Sequence, residues 1–129
     1  MPQITDTVVL IGAINPRNPN HASASRYLNL VSRDTETFVP LVSIMEFDLV
    51  MKGRAYTANQ RKEAFEWLAE SIPENKIISN SIHSIQTAVD LQESGMRYFD
   101  SLITAIAIEE DAVVLTKDNE ISKAAKSKW

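Results

Sequence analysis

Short apolar runs alternate with amphipathic stretches along this chain. Gln3 to Thr7 predicts a short strand that leads into an apolar turn or helix, Val8 to Ile14. Asn15-Pro16-Arg17-Asn18-Pro19-Asn20 is loop chemistry, because proline fixes φ and asparagine bonds its own backbone. His21 to Ser32 predicts a helix with Ala22, Tyr27, Leu28 and Val31 inward. Thr37 to Val42 predicts a strand. Its Pro40 has no N–H to donate, which assigns it to a sheet edge or an irregular pairing. Ser43 opens a helix that runs to about Lys52 and ends at Gly53. Asn59 to Ser71 is amphipathic, with Ala64, Phe65, Leu68 and Ile72 inward. Lys76 to Ser79 predicts a strand, and Ser81 to Glu93 a helix closed by Gly95. Tyr98 to Glu110 predicts a helix, Ala112 to Thr116 a strand, and Glu120 to Lys128 a last basic helix.

Strands separated by helices imply parallel pairing with right-handed crossovers, and so an α/β fold of three-layer α/β/α sandwich type. Ala112-Val113-Val114-Leu115 is apolar throughout, as a parallel strand covered on both faces requires. Residues 1–129 are expected to form one domain around a short parallel sheet. In such sheets function gathers at the carboxyl ends of the strands. Asp6 closes the first strand, Asp118 follows the last clear one, and Glu46 leaves the second from the same edge. Asp100 joins them if the helix that it opens starts at that edge.

Composition narrows the function classes. A net charge of −4 argues against nucleic-acid binding by bulk charge. The absence of cysteine excludes disulfides and thiolate metal sites. The longest apolar run, Val8 to Ile14, is far too short to span a membrane, and the start carries no basic leader. A soluble, cytoplasmic protein with no membrane partner is the expectation.

Asp6, Glu46, Asp100 and Asp118 change the picture most. Acids that converge repel unless a cation neutralises them. All-oxygen ligands suit Mg²⁺ or Mn²⁺, which in turn suit phosphate chemistry. Each acid also has a structural use. Glu46 stands three residues after Ser43, the capping-box spacing, and Asp100 and Asp118 stand where Asp caps helices. Asp6 interrupts the apolar stretch Ile4 to Ile14, where a carboxylate is costly without a partner. Thr5, Thr7, Ser43 and Thr116 flank the acids and suit either strand formation or orientation of a carboxylate. Arg97 and Lys117, beside Asp100 and Asp118, read as solvated charges or as phosphate contacts.

Three stretches carry a resemblance: Ile4-Thr5-Asp6-Thr7-Val8-Val9-Leu10-Ile11, Phe99-Asp100-Ser101-Leu102-Ile103-Thr104-Ala105, and Leu115-Thr116-Lys117-Asp118-Asn119-Glu120-Ile121. With Glu46 between the first and second, this ordered set resembles the PIN-domain family, of the kind found as VapC-type toxins of toxin–antitoxin pairs. The resemblance implies a PIN-like fold and a Mg²⁺- or Mn²⁺-dependent endoribonuclease, with RNA as substrate. It makes Asp6, Asp100 and Asp118 direct or water-mediated metal ligands, and Glu46 the residue that completes the site. It further implies a homodimer and an antitoxin that covers the surface. There are two departures. Val8 stands where the family commonly has Asn or Ser, and the chain ends at Lys128-Trp129, so the family's last strand is absent or reduced to the final residues. A non-catalytic PIN-like binding module is the alternative reading. A receiver-type phosphoacceptor is the third, disfavoured because Thr5-Asp6-Thr7 lacks adjacent acids.

Overall fold

Five short parallel strands carry the chain in this computed structural model, which describes residues 1–129. In chain order the elements are β1 (Gln3–Thr5), α1 (Thr7–Ile14), α2 (His21–Arg33), β2 (Thr37–Pro40), α3 (Leu41–Gly53), α4 (Ala58–Ser71), a 3-10 turn (Glu74–Lys76), β3 (Ile77–Ile78), α5 (Ile82–Glu93), α6 (Tyr98–Glu110), β4 (Val113–Leu115), α7 (Asn119–Ala124) and β5 (Ser127–Lys128). The strands lie in the order β3-β2-β1-β4-β5. From β1 the chain winds outward through β2 to β3, then crosses to the other side for β4 and β5. The order reverses between β1 and β4, and the carboxyl ends of those two strands border the crevice where doubly wound sheets bind their ligands.

Side chains alternate across the sheet with the period of two that a strand imposes. Leu115 and Val39 face one layer with Val9, Leu10, Leu28 and Val31 of α1 and α2. Ile4 and Val114 face the other with Ile103 and Ile106 of α6 and Ile121 of α7. The three-layer α/β/α arrangement read from the sequence is therefore present.

Three local expectations are corrected. Of the two settings read for Pro40 the edge is excluded, because β2 is flanked by β1 and β3, and the irregular pairing is the one found. The proline is tolerated because the β1 ladder ends at Ile4↔Phe38, and Pro40 stands past it at the entrance to α3. Ala22 is exposed, and Ala24 takes its place in the core. The last helix stops at Ala124, since Ala125 is extended and Ser127–Lys128 pair with β4. The backbone N–H groups of Val114 and Thr116 donate to the carbonyls of Lys126 and Lys128 at 2.8 and 3.0 Å. A closing strand of two residues is thus present, and Trp129 beyond it packs edge-on against Tyr27 at 5.3 Å.

Helices α1 and α2 approach closely at one glycine. A Cβ on Gly12 would lie 2.8 Å from Ala24 Cβ, inside contact distance. Gly12→Ala is therefore expected to lose about 1–3 kcal/mol to overpacking, outweighing the roughly 1 kcal/mol that alanine gains in a helix. A urea melt showing the variant equal or superior to the parent would contradict the close packing.

Candidate active site

Asp6 leaves the end of β1 and caps α1. Its Oδ1 accepts from the Thr7 backbone N–H at 2.7 Å, and its Oδ2 accepts from the Thr116 hydroxyl at 2.6 Å. It is only 7% exposed. Burial pushes its carboxyl up to about 6, against the two hydrogen bonds, and the charges of Asp100 and Glu46 push the same way.

Glu46 reaches the same place from α3. The capping box suggested by its spacing from Ser43 does not form. The helix begins at Leu41, with Pro40 at the cap position and no side-chain cap. Ser43 is already inside the first turn, and its buried hydroxyl donates to the Thr5 carbonyl at 3.1 Å. The half-buried Glu46 carboxylate instead accepts from the Thr7 hydroxyl.

Asp100 occupies the third position of α6, where the helix dipole favours an anion. It is 8% exposed. Burial raises its carboxyl above the usual range and Asp118 adds to the rise, while Arg97 opposes it. The start of α6 does lie at the carboxyl edge. One oxygen each of Asp6, Glu46 and Asp100 falls within 4.8 Å of the others.

Asp118 stands at the side of this trio. It caps α7 through Oδ1, which accepts from Ile121 N–H at 3.0 Å, and its own N–H donates to the Thr116 hydroxyl at 2.9 Å. Thr116 therefore takes a hydrogen bond from Asp118 and passes one to Asp6, tying the ends of β1 and β4 together. The second oxygen of Asp118 accepts from Arg97 Nη2 at 3.1 Å, and Arg97 Nε lies 3.2 Å from Asp100. Lys117 turns the other way, donating to Asn20 at 3.1 Å. His21 places Nδ1 2.9 Å from the Gly12 carbonyl, a structural bond between α2 and α1.

The trio lines a cleft of about 470 Å³, walled by Val8, Ile11, Val50 and Tyr98 among others. A larger concavity of about 630 Å³ lies next to it among α1, α3 and α4, lined by Phe47, Met51 and Trp67. Its single carboxylate, Glu63, gives it no comparable chemistry. The trio offers oxygen donors only, and burial pushes two of its carboxyls, Asp6 and Asp100, above the usual range. That donor set fits a hard divalent cation such as Mg²⁺ or Mn²⁺.

The sequence pattern of one family, the PIN domain, matches residues 4–127, nearly the whole chain. The chain belongs to the PIN domain family. No curated protein matches this PIN domain. Solved structures do. It superposes on a chain of VapBC2 from Rickettsia felis, bound to a promoter DNA fragment, with TM-score 0.74 and 18% identity, covering 100% of this chain and 99% of that one. For FitAcB from Neisseria gonorrhoeae the values are 0.70 and 16%, covering 97% and 95%. For a toxin–antitoxin complex from Klebsiella pneumoniae they are 0.69 and 19%, covering 98% and 96%. At these identities the likeness is one of fold. No helix of this PIN domain is long and apolar enough to cross a membrane.

Proposed function

We propose that this PIN-domain chain is a metal-dependent endoribonuclease, the toxin of a toxin–antitoxin pair, acting in the cytoplasm as one domain. The observation that carries the reading is the convergence of Asp6, Glu46 and Asp100 within 4.8 Å, two of them buried and titrating high. Asp6, Glu46 and Asp100 would hold Mg²⁺ or Mn²⁺, with Asp118 completing the set at its rim. When bound, such a cation supplies activation of water and neutralisation of charge on a phosphate. The chain's own groups do the rest. Thr7 and Thr116 fix the carboxylates by their hydroxyls, so that little reorganisation is needed when substrate arrives. Thr7 occupies only one oxygen of Glu46, which leaves the other to reach the cation directly or to orient a water beside it and take its proton.

RNA as substrate is supported by the cleft itself. Tyr98 is 61% exposed at its wall and offers a ring on which an unpaired base can stack. An antitoxin partner is supported by the fold neighbours, which include a toxin–antitoxin complex. A homodimer is supported by exposed apolar stripes: Leu41, Met45 and Leu49 on α3, and Ile82, Ile85 and Val89 on α5. Both helices lean on α6, and their apolar edges suit a second copy of the chain. Replacing Leu49 and Ile85 together by Asp should yield a monomer in sedimentation. A parent chain that is itself monomeric at its highest soluble concentration would refute the dimer.

The function is tested with purified chain and a labelled single-stranded RNA. Internal cleavage should appear with Mg²⁺ or Mn²⁺ and stop on chelation. Cleavage that survives chelation would refute the metal dependence, and no cleavage under any cation would leave the binding-module reading in its place.

A further inference from the structure

Three of the four acids converge and the fourth stands apart, and one side chain lies between them. Arg97 Nε is 3.2 Å from Asp100 Oδ2, and Arg97 Nη2 is 3.1 Å from Asp118 Oδ2. These two carboxylates are the only polar partners of the guanidinium. They sit on different elements, the first turn of α6 and the cap of α7. The planar fork of arginine can serve both at once, which a lysine ammonium cannot do with the same geometry. For Asp118 the oxygen engaged by Arg97 is the one that its capping bond to Ile121 leaves free. It is the one carboxylate oxygen of Asp118 that could otherwise serve a cation.

Exposure decides what kind of device this is. The Arg97 side chain is 77% exposed, while the Asp100 and Asp118 side chains are 11% and 21% exposed. An ion pair with one partner in water is weak and screened by salt, so a competitor can displace it. A buried arginine would have closed the site permanently.

We propose that Arg97 is a positioning residue: a tethered cation that neutralises Asp100 and Asp118 in the cation-free site, holds Asp118 off the trio, and competes with the divalent ion for those oxygens. The inference rests on the cation reading of the trio given above. It makes the affinity of the site for its cation a property set partly by Arg97, which touches neither Asp6 nor Glu46. It also gives that affinity a salt dependence that opposes the ordinary screening. Salt weakens the Arg97 pairs, and so it removes part of the internal competition at the same time as it screens the incoming ion.

The test is Mn²⁺ binding, measured by titration calorimetry near neutral pH and at low salt on the full chain, Arg97→Gln and Arg97→Lys. Arg97→Gln should bind Mn²⁺ about three- to tenfold tighter than the parent, the loss of two exposed ion pairs. Arg97→Lys should fall between them, since it keeps the charge but loses the bridge. The gap between parent and Arg97→Gln should narrow at high salt. A residue with a merely structural role would not tighten binding when removed. Arg97→Gln binding Mn²⁺ equally or more weakly, with the parent binding normally, overturns this inference alone. Failure of parent and variants alike to bind Mn²⁺ overturns the cation reading itself, and this inference with it.

Discussion

Asp6→Asn is expected to abolish RNA cleavage and, at neutral pH without divalent cation, to make the protein more stable. The sign follows from the raised carboxyl, which burial and the neighbouring acids push from an ordinary 3.8 to about 6. The folded state then holds the proton more tightly than the unfolded state. The stability this contributes is full below about pH 4 and is lost as pH rises through about 6. At neutral pH the ionised, uncompensated carboxylate costs on the order of 3 kcal/mol relative to a neutral group. Asparagine keeps the acceptor for Thr7 N–H but turns an NH₂ towards the Thr116 hydroxyl, which gives back about 1 kcal/mol. The net gain should be roughly 1–2 kcal/mol above pH 7 and should vanish or reverse below about pH 4. Added Mg²⁺ should raise the melting temperature of the parent by mass action and leave the variant unmoved. A variant that is clearly less stable than the parent at neutral pH would make Asp6 a structural residue.

Glu46→Gln should lose activity by roughly two to four orders of magnitude while its melting temperature hardly changes. Glutamine has the same shape and nearly the same helix propensity, and its carbonyl still accepts from the Thr7 hydroxyl. What disappears is the charge at the trio and the carboxylate that would take a proton from water. The capping alternative no longer competes, because α3 starts at Leu41 and Ser43 bonds the Thr5 carbonyl. Full activity of Glu46→Gln at saturating Mn²⁺, assayed on single-stranded RNA beside the parent, would remove Glu46 from the chemistry.

The layers of the fold are legible in the chain because burial enforces period. Val113-Val114-Leu115 had to be covered on both faces, and β4 is. Asp6 stood out because a carboxylate inside an apolar stretch demands a partner, and it has Thr116 and Thr7. Readings that depended on one neighbour at a fixed spacing did less well. Ser43 and Glu46 have capping-box spacing, but with Pro40 at the cap the helix starts at Leu41, which puts Ser43 inside the first turn instead of at the cap. Lys123, Lys126 and Lys128 look like the basic end of a helix, yet β4 offers an edge beside them, and Ser127–Lys128 pair with it and satisfy its backbone groups.

What the sequence left open was long-range geometry. The meeting of Asp100 with Asp6 depends on which end of α6 reaches the carboxyl edge, and no local pattern states that. The bridge from Arg97 to Asp118 spans 21 residues and two elements. An arginine three residues before an aspartate signals a helical pair, not a link to a second acid. The tie from Thr116 to Asp6 crosses 110 residues. A threonine at the end of a strand is common enough to carry no signal by itself.

The central claim is that Asp6, Glu46 and Asp100 hold the cation on which RNA cleavage depends. Anomalous diffraction from a crystal of the chain soaked in Mn²⁺ tests it most directly. The account predicts a peak in the cleft, within ligand distance of carboxylate oxygens of that trio. A peak elsewhere, or none at a Mn²⁺ concentration that supports cleavage, would contradict it.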